Sequence, residues 1–452
     1  MKMITAAQAA QLAGGAVVGD GAVQITGVST DSRSIPAGSL FIPIRGERFD
    51  GHDFLEKAVE MQAAAVMSEK DIALPVPVIR VDDTRRALLA LAGGYRSLFD
   101  IPVVGITGSV GKTTTKEMTA AVLAQKYRTM YTQGNLNNEI GMPLTLFRIE
   151  EDTQAAVVEM GMSNFQEISR MTAQAKPDVA IITNVGTAHI EFLGSREGIR
   201  DAKMEILEGL RPGGTAVLNG DEPLLWCKKN RLQVHTLYFG IENPACDVRA
   251  EHIVLEGDRV KLTIVHPNGR FDAVIGTAGR HNVYNALAAT AAGLCLGLTH
   301  EQIAAGLAGF QDIHQTITKE NGYTIIDSCY NASPDAVEAS LELLKGMDIT
   351  GKRFAVLGGM RELGAFSAAE HQRCGRKIAA CADYLYCYGD GAEDYRLGAI
   401  EAGMPDAHIH MMHSHEGIAG ALKRAAKPGD ALLFKGSRYW KMEKALELFR
   451  EK

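Results

Sequence analysis

Residues 103–115 (VVGITGSVGKTTT) run an apolar strand into a glycine-rich turn and then a helix. Gly108 and Gly111 let backbone amides turn inward without a Cβ clash, and the helix that begins near Gly111 adds positive potential. Lys112 can reach phosphate oxygens, and Thr113 offers a hydroxyl to Mg²⁺. The chemistry implied is the binding of a nucleoside triphosphate. The spacing departs from G-x-x-x-x-G-K-[ST], because Ile106 stands five before Gly111 and the nearby glycines are Gly105 and Gly108. A plain glycine-rich strand-to-helix turn is the competing reading, and the strand, the Lys-Thr pair and the helix together weigh against it.

A metal beside Thr113 needs a further carboxylate or imidazole, and strand ends on the same sheet edge are where one would stand. Two candidates are Glu159, which closes the apolar run Ala155–Glu159, and His189, which follows the run from Val179. An acid closing an apolar strand favours function, whereas a lone His after a strand serves equally well as a loop hydrogen-bonder. Lys203, in the helical segment Asp201–Glu205, reads by pattern as a solvated helix lysine.

These residues need a scaffold, and the apolar periodicity supplies one. Runs at 103–107, 155–159, 179–184 and 216–219 alternate with helical segments, the pattern of a parallel sheet with helices on both faces. Before them, short strand-like runs at 23–28, 39–44, 64–68 and 76–81 mix with helical patterns at 6–12 and 53–62, and the pattern breaks near Arg96–Pro102. Residues 234–275, with a Pro-Asn-Gly turn at 267–269, predict an antiparallel excursion before a helix at 283–296. Strand and helix alternate again after Gly322, ending in an amphipathic helix around 442–449.

At roughly 150 residues per domain, 452 residues suggest about three domains. The expected fold is therefore α/β in three domains: a small N-terminal α/β domain at 1–100, a central P-loop parallel-sheet domain at 101–313 and a Rossmann-like C-terminal α/β domain at 314–452. With 46% hydrophobic and 22% charged residues the composition is that of a globular protein, which excludes collagen, low-complexity disorder and a disulfide mini-scaffold. Forty-seven basic residues against 54 acidic ones, with no dense cationic patch, argue against nucleic acid and anionic membrane as partners. Seven cysteines without a C-x-x-C pair fit a reducing cytosol, and neither a signal peptide nor a membrane span is expected. The expectation is a cytoplasmic monomer acting on small molecules.

Motifs along the whole chain resemble the Mur ligase family, the ATP-dependent amide-forming enzymes of peptidoglycan precursor synthesis. They are Ser29–Arg33, Gly38–Phe41, Gly46–Phe54, Thr107–Lys116, Gly134–Pro143, Glu159–Gly161, Asn184–Glu191, Ala202–Glu205, Gly279–Ala286, Tyr330–Pro334, Glu362–Gly364 with His371, and Lys435–Arg438. Their order and spacing are far more specific than any one of them. The resemblance implies ATP and Mg²⁺ as cofactors, with Thr107, Gly108, Ser109, Val110, Gly111, Lys112, Thr113 and Thr114 around the phosphates. It makes Asn282 the adenine contact and leaves Asp327 as the acid near the ribose. Thr113, Glu159, His189 and Lys203, the last as a carbamate, become the metal-holding set, since a carbamate offers anionic oxygens to a hard cation. Lys112, Glu159, His189 and Lys203 are then the catalytic group. Ser32 and Arg33 would hold a UDP-sugar, Asn135, Asn137 and Asn138 its muramoyl part, and Asn331, Ser333 and Arg438 the incoming amine.

The implied reaction activates a tripeptide carboxylate on a UDP-sugar through an acyl phosphate, which D-alanyl-D-alanine then attacks. Four positions depart from the family pattern. Asp312–Thr316 has no arginine, Ser328 replaces the second acid before Tyr330, Ser333 stands for asparagine and Gly359 for aspartate. The intact loop and metal set favour an active enzyme with altered ATP affinity or dipeptide preference. The rivals are a related ligase joining a different amino acid or a polyglutamate-like chain, and a nucleotide-binding scaffold without catalysis.

Overall fold

The computed structural model describes residues 1–46, 49–256, 258–312 and 314–451. Glu47 and Arg48 of the 46–54 motif, and Ile313 at the expected boundary, lie outside the described residues. Among the described residues the strands form four sheets, and the architecture is three-domain α/β.

A five-stranded sheet near the N-terminus runs in the order Ala16–Val18, Val78–Arg80, Ala65–Ser68, Ser39–Phe41, Gly27–Ser29, parallel except where Ala16–Val18 joins its edge. Ile4–Thr5 and Gln24–Ile25 pair separately.

The central sheet has nine strands, with Val103–Thr107 between Val179–Ile182 and Ala155–Glu159, all three parallel. Each of these strands is buried along its length, so each reads as a continuous apolar run rather than an alternating one. The register sets Glu159 beside Ile106 and Ile182 beside Thr107. The phosphate loop, the terminal carboxylate and the segment leading to His189 therefore leave the sheet at one edge.

The antiparallel excursion is shorter than the sequence predicts. His235–Gly240 continues the parallel sheet beside Thr215–Asn219, because the short helix Pro223–Trp226 in the connection allows a crossover. Only Val248–Glu256, Arg259–His266 and Gly269–Ile275 pair antiparallel, with Pro267 and Asn268 in the tight turn. Helix Arg280–Cys295, rich in alanine and buried over most of its length, packs against the helix that follows the phosphate loop, Lys112–Leu123.

The C-terminal sheet runs Thr316–Glu320, Tyr323–Ser328, Ala431–Lys435, Arg353–Gly358, Tyr384–Tyr388, Ile409–Met412, parallel except for its first pair. No described helix is long and apolar enough to cross a membrane.

Candidate active site

The phosphate loop is shaped by two close approaches. Gly108 has φ 154° and no room for a Cβ, which would collide with Thr183 Oγ1. Gly111, at the start of helix Lys112–Leu123, sits in the left-handed region at φ 81°, and a Cβ there would lie 2.8 Å from Asn285 Oδ1.

The neighbouring strand exit holds the loop. Asn184 Oδ1 accepts from Ser109 N–H at 3.1 Å and Val110 N–H at 2.9 Å, while Thr183 Oγ1 donates to the Val110 carbonyl at 2.6 Å. Gly186 N–H donates to Ser109 Oγ at 2.8 Å. Ser109 and Val110 thus spend their amides on protein oxygens. The amides left for phosphate are those of the first helical turn, Gly111 to Thr114, which have no intrahelical acceptor. Lys112 Nζ donates to the carbonyls of Gly108 (2.8 Å) and Ser109 (3.3 Å), and burial lowers its pKa from the ordinary lysine value.

Glu159 is 1% exposed. Its Oε1 accepts from Asn137 Nδ2 at 2.8 Å and from Thr113 Oγ1 at 3.4 Å, whereas Oε2 is buried without a hydrogen-bond donor. Lys116, fully buried one helical turn after Lys112, places Nζ 3.8 Å from that oxygen and 3.3 Å from Glu117 Oε1. An anionic oxygen without a donor, beside a hydroxyl, suits a hard divalent cation. Among the described residues no three His, Cys, Asp or Glu side chains gather into a metal centre. A cation here would rest on Glu159 and Thr113 and complete its shell from phosphate and water oxygens. His189 stands apart from this pair in the present arrangement. It has φ 64°, and its Nδ1 lies 3.0 Å from Glu362 Oε2 of the C-terminal domain.

Lys203 is not the solvated lysine that the pattern predicts. It is 2% exposed, in the last turn of helix Arg196–Met204, and no carboxylate lies within ion-pair distance among the described residues. Burial drives its pKa well below the usual lysine value, and the nearby Lys112 adds to the drop. An uncharged amine is the form that reacts with CO₂, so the environment suits a lysine carried as a carbamate.

Facing the loop, a cavity of about 190 Å³ is closed by the C-terminal domain. Lys435 lines it, 5% exposed, donating to Ser328 Oγ at 2.9 Å and the Asn331 carbonyl at 3.1 Å. Burial lowers its pKa to about 8. His314 lies 4.3 Å from the Tyr330 ring and 3.2 Å from Glu117 Oε1, tying the connection after 312 to the phosphate-loop helix. Asn331 and Ser333 also line the cavity.

Several expected contacts fall elsewhere. Asn282 is fully buried behind the cavity, donating to the Ala278 carbonyl at 2.7 Å and accepting from Asn285 Nδ2 at 3.0 Å; Asn285 and His281 form the lining instead. Asp327 turns back to accept from Cys329 N–H at 3.1 Å, and Ser328 faces the cavity in its place. Arg438 is 72% exposed on its side chain and lies outside the lining. Asn138 caps helix Gly141–Leu146 through the amides of Ile140 and Gly141, Asn135 is exposed, and Asn137 belongs with Glu159. Near the N-terminus, Arg33 grips Asp31 at 2.9 and 2.8 Å and holds its carboxyl down to about 2, with Ser32 half-buried between them. Gly359 has a steric reason: a Cβ there would strike the Asp390 carbonyl, so no aspartate fits.

By residue type and spacing alone, Asn184, Lys116, Asn285, His314 and Lys435 carry no role in the sequence. Asn184, Lys116, Asn285 and Lys435 fall inside the motifs that resemble the Mur ligase family, the one signal that points to them; their partners are distant in the chain.

The matches to known families follow the same order. The Mur ligase family catalytic domain matches residues 24–96, the Mur ligase middle domain 106–293, and the Mur ligase glutamate ligase domain 314–438. The chain belongs to the Mur ligase family. It is 40% identical over 430 residues to the UDP-N-acetylmuramoyl-tripeptide–D-alanyl-D-alanine ligase of Bacillus subtilis (strain 168), covering 94% of this chain and 93% of that relative. The like-named enzyme of Escherichia coli (strain K12) is 36% identical over 364 residues, or 79% of this chain and 80% of that one. Among solved structures, MurF from Acinetobacter baumannii matches with a TM-score of 0.92 at 30% identity over 100% of both chains. MurF ligase from Thermotoga maritima in complex with ADP matches with a TM-score of 0.84 at 31% identity, covering 94% of this chain and 96% of the other.

Proposed function

We infer that this chain is an ATP-dependent ligase that joins D-alanyl-D-alanine to the tripeptide carboxylate of UDP-N-acetylmuramoyl-tripeptide, releasing ADP and phosphate. The observation that carries this reading is the tethered phosphate loop with Glu159 and Lys203 buried around it, in a chain alike over nearly its whole length to ligases of that name.

The γ-phosphoryl group passes from ATP to the tripeptide carboxylate, giving an acyl phosphate and ADP. The dipeptide amine then attacks the acyl carbon, loses a proton, and phosphate leaves. Little covalent chemistry falls to the protein in the first step, so its work is positioning and neutralising charge. Lys112 and the amides of the first helical turn hold the phosphates from one side, and Lys435 supplies a cation from the other. Glu159 and Thr113, with His189 and the carbamate of Lys203, would hold Mg²⁺, which when bound neutralises charge on the transferring group. Asn331 and Ser333 meet the incoming dipeptide where the C-terminal domain closes the cavity and excludes water from the acyl phosphate.

We assign UDP-sugar anchoring to residues 1–100, with Ser32 and Arg33 in contact, ATP chemistry to 101–313 and amine delivery to 314–452. The enzyme acts as a monomer in the cytoplasm, where its seven unpaired cysteines stay reduced.

The test is phosphate release with ATP, UDP-muramoyl-tripeptide and a panel of amines. Turnover dependent on D-alanyl-D-alanine is expected. Turnover with a different amine alone would overturn the substrate, and none with any amine would overturn the enzyme.

A further inference from the structure

Lys116, one turn after Lys112 on the phosphate-loop helix, is fully buried and does not line the cavity, so it is no phosphate ligand in this arrangement. Its Nζ stands between two carboxylates, 3.3 Å from Glu117 Oε1 and 3.8 Å from Glu159 Oε2. Glu117 is shared with His314, which approaches the same oxygen to 3.2 Å. Glu159 is not shared in this way: among the described residues, no other cation lies within ion-pair distance of it. Its other partners, Asn137 and Thr113, are neutral and meet Oε1. Lys116 Nζ and Glu159 Oε2 are both buried without a hydrogen bond, so charge alone relates them. The Tyr131 ring lies 5.8 Å from the ammonium and adds no anion.

A buried carboxylate is costly unless an opposite charge accompanies it, and Lys116 is that charge for Glu159. The same placement bears on a divalent ion. An ion held on Oε2 would share that oxygen with the ammonium, and like charges so close repel strongly in a dry interior. Lys112 is a second ammonium near enough to feel the charge of Glu159. Even with Lys203 carried as a carbamate, the two anionic groups are matched by two ammonium groups. The central wall by itself therefore offers a divalent ion no surplus of negative charge, whereas nucleotide phosphates bring one.

We propose that Lys116 is the resident counter-ion of Glu159 and makes metal binding depend on the nucleotide, so that the divalent ion enters with the phosphates and not ahead of them. Lys116 acts through Glu159 as a positioning residue for charge. This rests on the reading of Glu159 as a Mg²⁺ ligand.

The test is Mn²⁺ binding to the intact chain without nucleotide, followed by electron paramagnetic resonance. K116M should bind Mn²⁺ roughly 10-fold or more tightly than the unaltered chain, a gain that lost packing would not produce. K116Q, which keeps a donor beside both carboxylates without the charge, should show the same gain and serves if K116M does not fold. K116R retains the charge and should show no gain, and K116M/E159Q should lose it. No gain in K116M and K116Q, an equal gain in K116R, or a gain that survives in K116M/E159Q would overturn the proposal. Binding of the Mn²⁺–ADP complex by E159Q separates the two readings: weakened binding leaves the metal reading standing whatever K116M does, and normal binding would overturn both.

Discussion

The two walls of the cavity handle charge in opposite ways. On the central wall the protein itself ties Glu159 Oε1 to Asn137, the Ser109 and Val110 amides to Asn184 and Lys112 to loop carbonyls, while Glu159 Oε2 is left without a donor. On the C-terminal wall, Lys435 is held by neutral oxygens alone. The phosphate loop of the central wall is thus held by the protein itself, while Lys435 on the far wall is expected to take its counter-charge from a nucleotide phosphate. Changes to the first should therefore act on kcat, and changes to the second on KM.

The largest expected effect tests the central wall. Lys112→Ala should lower kcat by about 10³-fold or more in a phosphate-release assay, and retention of most activity would remove the loop from the mechanism. Lys203→Ala should cost roughly 10²-fold, with partial recovery on adding a short carboxylic acid, as expected when an anionic oxygen has been lost from the site. Full activity without the additive would make Lys203 a packing residue only.

The far wall should respond more mildly and in KM. Lys435→Met should raise the KM for ATP roughly 10-fold with a smaller change in kcat. Burial places the Lys435 pKa at about 8, so the ammonium is present below that value and lost as pH rises through it. The KM for ATP should accordingly climb between pH 7 and 9, and Lys435→Arg, which stays protonated, should flatten the climb. An unchanged profile in that variant would show that the nucleotide does not supply the counter-charge.

The smallest effect concerns the tie between the walls. Glu117 raises the His314 pKa above its ordinary 6.5, and burial opposes it. The stabilisation is therefore complete below about pH 6.5 and fades as pH rises through the raised value. Glu117 is lowered from 4.5 by His314 and Lys116, against its burial, so its share is present above about 4.5 and fades as pH falls through the lowered value. His314→Gln should cost about 1 kcal/mol or less near pH 6 in thermal melts and nothing near pH 9. An equal loss at both would mean packing against Tyr330 is what His314 contributes.

What was readable in the sequence had local causes. The phosphate loop announces itself because strand, glycines, Lys-Thr pair and helix are contiguous, and Glu159 because an acid closing an apolar run is conspicuous. The strand–helix alternation after Gly322 is legible too, and the C-terminal sheet with its intervening helices follows it. Where the sequence does not place a site residue, the reason is that direction is decided by tertiary placement. Asp327 and Ser328 differ by one residue on a strand, so one faces the cavity and the other turns away. Asn282 and Asn285 share a helix face three residues apart, and the depth of the helix decides which one reaches the cavity. Lys203 has the sequence surroundings of a solvated residue, and its burial comes from what packs over that helix. Thr316–Glu320 is an edge strand with a single apolar residue, and Ala16–Val18 is an edge strand only three residues long, too short for its apolar run to stand out.

The order of strands in the C-terminal sheet has a consequence for biosynthesis. Ala431–Lys435 lies inside that sheet, between Tyr323–Ser328 and Arg353–Gly358, yet it is the last of the six strands to be translated. The nine central strands all precede it in the chain, so they can assemble while the ribosome is still working. The C-terminal sheet has no such head start, and a nascent chain interrupted before Ala431 would carry a formed phosphate loop with half of its opposing sheet unjoined.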